Sequence, residues 1–150
     1  MNNQIIEDEL LFEEDIQLTS IKEYGFTWKD FSEQSKPIPK EGLKFEINFE
    51  GTITGEKIKG RVQGIDYLTV RADGRLFLDL HASIATDDGS TIYVKESGIN
   101  QNGNLLLNMD FHTNDSRYNW LNHTHVWCKG QVNFSTGKVL VKGFKTRGLI

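Results

Sequence analysis

Four glycine reversals constrain this chain more than any other feature. Asp73-Gly74, Asp88-Gly89, Asn102-Gly103 and Thr136-Gly137 each set a glycine behind a small polar residue, a pairing that turns the chain where positive φ is needed. The segments between them are rich in β-branched, aliphatic and aromatic residues, which favour strands. Upstream, Leu43, Phe45, Ile47 and Phe49 alternate with Lys44, Glu46, Asn48 and Glu50, the period of a strand with one buried face. Gly51, Gly55, Gly60 and Gly64 follow as bulges or turns. Strands at this even spacing, joined by tight turns, predict an all-β antiparallel meander that closes into a small β-barrel.

Two segments need separate treatment. Leu11–Leu18 mixes acids with apolar residues and is read as the first strand, with residues 1–10 expected to be poorly ordered. Gly25–Lys40 is the stretch without strand patterning. There Thr27-Trp28-Lys29-Asp30 has the form of a helix N-cap followed by an acid. One short helix or ordered loop is expected near residues 27–35, ended before Pro37 and Pro39.

Size and charge bound the rest. The 150 residues suit one domain, 1–150. A net charge of −4 with no Lys/Arg stripe argues against nucleic acid, whose affinity comes largely from phosphate neutralisation. No apolar run approaches the roughly 20 residues of a membrane helix, and the polar, acidic Met1–Glu9 does not read as a signal peptide. Cys128 is the single cysteine, so no internal disulfide forms, and a reducing, cytoplasmic location is expected.

The hairpins around Asp73-Gly74 and Asp88-Gly89 fix side-chain faces. Three-residue loops need positive φ at glycine alone. They set Val70 opposite Leu76, Leu68 opposite Leu78, Ile84 opposite Ile92 and Ala82 opposite Val94, so one face of three strands is almost wholly aliphatic. Two-residue loops would break those pairs into mixed ones. The opposite face then carries Tyr67, Thr69, Phe77, Asp79, His81, Ser83, Tyr93 and Lys95. That composition suits either a polar ligand cavity or a decorated solvent face.

Further along, Tyr118, Trp120 and Asn122 alternate as on one strand face. They could line a pocket, or form a rim in which Asn122 caps backbone groups. His123 and His125 stand two apart, as on one side of a strand, but no carboxylate or cysteine completes a metal-ligand spacing, and neither metal nor cofactor is expected. Asp87 and Asp88 read as turn chemistry, and Cys128 as a small packed hydrophobe. The chain has no nucleophile elbow, Walker loop or dinucleotide fingerprint.

Several motifs together resemble a family of small bacterial and fungal proteins, domain-of-unknown-function family 3237. They are Gly51-Thr52-Ile53-Thr54-Gly55, the run Gly64–Gly74, Leu78-Asp79-Leu80-His81, the run Thr86–Val94 and Tyr118–Asn122. The match is good over Leu43–Asn122 and poor over Lys129–Ile150. The resemblance implies a barrel of the allene oxide cyclase and dirigent kind, or lipocalin-like, and no particular activity. The family usually has Trp at the position of Tyr67 and Arg at that of His81, so an anion held by that arginine would be held here only by protonated His81. Because the motif positions Asp79 and Tyr93 fall on the amphipathic face, the resemblance favours that face lining the lumen. The aliphatic face would then point outward and need covering, by a second subunit or by Gly25–Lys40.

Three functions remain open. One is a barrel that binds a small organic molecule inside, with Tyr67, Trp120 and Asn122 as ligand contacts. Another is a cofactor-independent isomerase, cyclase or lyase in the same pocket. In it Asp79 is the general base, and Tyr93 or His81 the acid. The third is a structural or interaction domain without a pocket. The expected partner is a small molecule, with a homo-oligomer where the aliphatic face is outward.

Overall fold

The alternation at Leu43–Phe49 is the core register of a barrel wall. The computed structural model describes residues 8–147. The strands are β1 (Glu9–Glu23), β2 (Leu43–Thr54), β3 (Lys59–Val70), β4 (Leu76–Thr86), β5 (Thr91–Gln101), β6 (Asn104–His112), β7 (Val126–Asn133) and β8 (Lys138–Lys145). Each pairs antiparallel with the next, and β1 also pairs with β8, so the sheet closes on itself with no free edge. Among the described residues no helix is long and apolar enough to cross a membrane.

The first strand is where the sequence placed it, although it begins at Glu9. Asp8 is anchored as well, accepting a hydrogen bond from the Trp127 indole at 2.6 Å. Order therefore extends into the segment expected to be poorly ordered, while residues 1–7 lie outside the described residues.

Both Asp-Gly hairpins have three-residue loops. Val70 faces Leu76 across the first, and Ile84 faces Ile92 across the second. Gly74 and Gly89 take φ of 88° and 93°, the left-handed region that glycine adopts without a Cβ clash. Asn102-Gly103 instead forms a two-residue loop between the paired Gln101 and Asn104, with positive φ at both residues. Asparagine tolerates that conformation better than most side chains.

The direction of the two faces differs from the expectation based on the family motifs. Leu68, Val70, Leu78, Ala82, Ile84, Ile92 and Val94 are buried inside the barrel, and Tyr67, Phe77, Asp79 and Tyr93 are exposed on its outer wall. The physical reason is volume and solvation. An eight-stranded barrel has an interior just wide enough to fill with side chains, and burying an aliphatic side chain gains about 1.5–3 kcal/mol. Membership of a motif does not outweigh that. The aliphatic face lies inside and needs no second subunit to cover it.

The two ends of the barrel differ. At one end Phe12, Ile53, Ile84, Ile92, Phe111 and Leu121 fill the interior, with Phe12 and Phe111 edge to face at 6.5 Å. Phe12 lies directly over Gly143, where a Cβ would strike its ring. This end is closed by a 3-10 turn, Asn119–His123. At the other end lies the short helix α1 (Trp28–Ser32), whose N-cap Thr27 accepts the Asp30 N–H at 3.0 Å. Its Trp28 packs on Phe31, Phe45 and Phe134, at ring separations of 5.3, 5.1 and 5.8 Å.

The 3-10 turn corrects two further expectations. Tyr118, Trp120 and Asn122 do not share a strand face, because the chain coils there. His123 ends the turn and His125 precedes β7, so the pair is not on a strand.

Candidate functional site

Between the packed end and α1 the barrel encloses a cavity of about 70 Å³. Its wall is mostly aliphatic, with Ile47, Leu68, Leu78, Leu107 and Val141 among the lining residues. Three acids interrupt that wall: Glu14 from β1, Asp66 from β3 and Glu96 from β5. They are only 6%, 6% and 5% exposed, and among the described residues no lysine, arginine or histidine lines the cavity with them.

Strand phase puts them there. Glu14 falls between the inward Phe12 and Ile16, Asp66 two residues before Leu68, and Glu96 two residues after Val94. Asp66 and Glu96 both pair with Leu80 of β4, one from each side. Their backbones are thus two strand spacings apart, roughly 10 Å, and inward curvature brings the side chains closer. The Cys128 thiol contacts Glu96 Oε1 at 3.8 Å.

Asp66 is also held by the wall itself. The β3–β4 pairing runs from Gly60↔Thr86 to Asp66↔Leu80 and resumes at Thr69↔Phe77. In that interval the Asp79 N–H donates to Asp66 Oδ1 at 3.1 Å.

Burial without a counter-ion shifts all three acids toward the neutral form. Asp66 is pushed up to about 7 by burial, opposed in part by the Asp79 N–H. Glu96 is pushed up to about 7 by burial and the nearby Asp66 charge. Glu14 is raised well above the usual carboxyl range, by burial and then by Glu96. Burial also raises the Cys128 thiol, which makes it a poor nucleophile. Near neutral pH the cavity therefore holds carboxyl groups that can both give and take a proton.

The residues singled out from sequence fall into two groups elsewhere. Asp79, His81 and Tyr93 do meet, but on the outer wall. His81 Nε2 is 3.3 Å from Asp79 Oδ1 and His81 Nδ1 is 2.8 Å from the Tyr93 hydroxyl. The Tyr67 ring stands edge-on to His81 at 5.6 Å. Trp120 and Asn122 belong to the closed end and do not line the cavity. Asn122 bonds the Thr113 backbone twice, at 3.0 and 2.9 Å, as a cap. Asp88 accepts from Thr86 Oγ1 and from the Tyr118 hydroxyl, at 2.6 and 2.7 Å, and so ties the β4–β5 turn to the β6–β7 connection. Among the described residues no group of three or more His, Cys, Asp or Glu is arranged to hold a metal ion.

The interior acids were not singled out from sequence. For Asp66 and Glu96 the signal was present: each stands in phase with aliphatic residues assigned to one face, Leu68 and Val94; for Glu14 no face had been assigned.

The family described as "Protein of unknown function (DUF3237)" matches residues 36–145. The chain belongs to DUF3237. The DUF3237 match extends through β7 and β8, beyond the Asn122 limit and across most of the stretch that the motifs suggested would follow the family poorly. No curated protein matches the chain. Solved structures similar to this DUF3237 chain include a β-barrel-like protein from Acinetobacter baumannii AYE, 22% identical, TM-score 0.76, covering 99% of each chain. Another is a protein of unknown function from Clostridium acetobutylicum ATCC 824, 22% identical, TM-score 0.74, covering 93% of this chain and 97% of that one. A third is described as an enzyme from Penicillium herquei, 24% identical, TM-score 0.67, covering 96% and 98%. At these identities the likeness shows the DUF3237 barrel fold.

Proposed function

We propose that this barrel binds a small organic molecule in its lumen and exchanges a proton with it through the Glu14, Asp66 and Glu96 carboxyls. The observation that carries this reading is the cavity, with its aliphatic wall and three buried acids lacking a counter-ion. An apolar wall gives contact area, and a few polar groups give orientation. Carboxyls held near neutrality suit acid–base work at neutral pH. The reaction classes that fit are isomerisation, cyclisation and elimination by proton transfer. The Penicillium herquei relative is described as an enzyme, which agrees with a catalytic use of such a barrel.

The test is infrared difference spectroscopy during pH titration of the wild type, Asp66→Asn and Glu96→Gln, followed by thermal shift against a metabolite panel. The expected result is a protonated-carboxyl band that titrates near neutral pH, weakens in each variant and changes with any stabilising compound. Fully ionised acids throughout that range would remove the reading.

A second reading rests on the Asp79–His81–Tyr93 contacts of the outer wall. There Asp79 serves as general base and Tyr93 or His81 as acid, with Tyr67 as a contact surface. Under this reading Asp79→Asn and Tyr93→Phe abolish turnover of a substrate, whereas Asp66→Asn spares it. The reverse pattern assigns the chemistry to the lumen.

A further inference from the structure

Resting on the lumen reading, we infer that the ligand class is an organic ammonium: a small amine with a slender apolar body. Charge is the first argument. The cavity presents Glu14, Asp66 and Glu96 with no cationic side chain among its lining residues. An anionic ligand would add repulsion to three acids, whereas a cation supplies the missing counter-charge.

Glu14 is the second argument. It is 6% exposed, it lines the cavity, and among the described residues no donor forms a hydrogen bond to its carboxylate. Among the described residues no fully buried side-chain oxygen lacks a partner, so the Glu14 oxygens open onto the cavity, where a ligand donor can reach them. A neutral alcohol or ether offers at most one O–H, whereas a primary ammonium carries three N–H donors. It could serve Glu14 and Glu96 together.

The mouth of the cavity agrees with a cation. Trp28, Leu76, Asn100, Val132 and Phe134 line both the cavity and the groove outside it, so two aromatic rings and one amide stand between lumen and solvent beside two aliphatic side chains. Trp28 and Phe134 sit 5.8 Å apart, with their ring planes inclined at 46°. Aromatic faces attract ammonium groups on the way in. A volume of about 70 Å³ limits the ligand to a small one.

Proton linkage follows. An ammonium meets the lumen best when the acids are ionised, so binding releases protons and tightens as pH rises from about 6 to 8. The groups facing Glu96 are Asp66 on β3, Glu14 on β1 and Cys128 on β7. Asp66 also takes the backbone N–H of Asp79 on β4, whose carboxylate lies on the outer wall and opposes ionisation of Asp66 through it. No histidine, lysine or arginine lines the cavity with the three acids among the described residues, so the protons released on binding pass to solvent.

The test compares three probes of one shape, n-butylammonium, 1-butanol and butyrate, by calorimetry in two buffers of different ionisation enthalpy. The result expected is butylammonium binding about tenfold or more tighter than butanol, with proton release, and about tenfold weaker in Glu14→Gln. That variant should melt no lower than wild type, which separates lost charge from lost fold. Equal binding of butanol and butylammonium, or tighter binding of butyrate, overturns the charge inference and leaves lumen binding standing. Butylammonium binding unchanged in both Glu14→Gln and Glu96→Gln places it outside the lumen and overturns the inference. No binding of any probe at about 20 mM, together with no titrating carboxyl band, removes both this inference and the lumen reading.

Discussion

Asp66 Oδ1 accepts the backbone N–H of Asp79 at 3.1 Å, a hydrogen bond from the barrel wall to an interior acid. The two aspartates belong to opposite surfaces: Asp66 lines the cavity and Asp79 is exposed outside. The wall lends a donor to the lumen where the β3–β4 pairing pauses. That bond fixes the position of Asp66 while leaving its other oxygen without a donor from the wall.

The first prediction concerns pH. Asp66 is pushed up to about 7 when folded, against about 4 in an unfolded chain. Between those values the folded state binds more protons than the unfolded one, so unfolding free energy falls as pH rises. Below pH of about 4 the group is neutral in both states, and above about 7 the loss is complete. The full effect for one acid shifted this far is of order 4 kcal/mol before relaxation. Urea melts between pH 5 and 8 should show stability falling across this window. Asp66→Asn keeps an acceptor for the Asp79 N–H and should flatten the slope and raise stability at pH 8. Stability that climbs with pH here, unchanged by the variant, would contradict the assignment.

The second concerns Gly143. A methyl group there meets the Phe12 ring, and Phe12 is 1% exposed. Gly143→Ala should destabilise by about 2–4 kcal/mol, measured by chemical melts. Adding Phe12→Leu should recover part of the loss, because the smaller side chain vacates the contact.

The third concerns α1. Trp28 is half-buried among three other rings at the cavity mouth. Trp28→Ala should cost about 1–3 kcal/mol and increase binding of an apolar fluorescent dye, with strand circular dichroism unchanged. Dye binding equal to that of wild type would mean that Trp28 does not seal the lumen.

The fourth concerns the hairpin that set the faces. Gly89 has φ of 93°, so Gly89→Ala should cost about 1–2 kcal/mol through backbone strain. An Asp88→Ala change at the neighbouring position should loosen the β6–β7 connection instead, seen as faster amide exchange around Tyr118, because it removes the acceptor of the Tyr118 hydroxyl.

The sequence by itself determined the β-meander outside Tyr118–His125, the three-residue hairpins and the register from Asp66 to Ser97. These depend on period two, on glycine at positive φ and on like side chains pairing across a turn, all of which are local. It also determined the Thr27 cap and the turn role of Asp88. It placed Asp79, His81 and Tyr93 on one face, since cross-strand register alone brings them to the same side of the sheet. Register cannot say which side of a sheet is inside. That was decided only when eight strands closed and aliphatic volume filled the interior, placing those three residues on the outer wall. Closure likewise brought Glu14, Asp66 and Glu96 around one cavity from three separate strands. Asp66 and Glu96 were visible in sequence as acids in phase with an aliphatic face. Their meeting is a property of the closed barrel, because a raised carboxyl pKa needs low dielectric and no counter-ion, conditions set by everything else that packs around them.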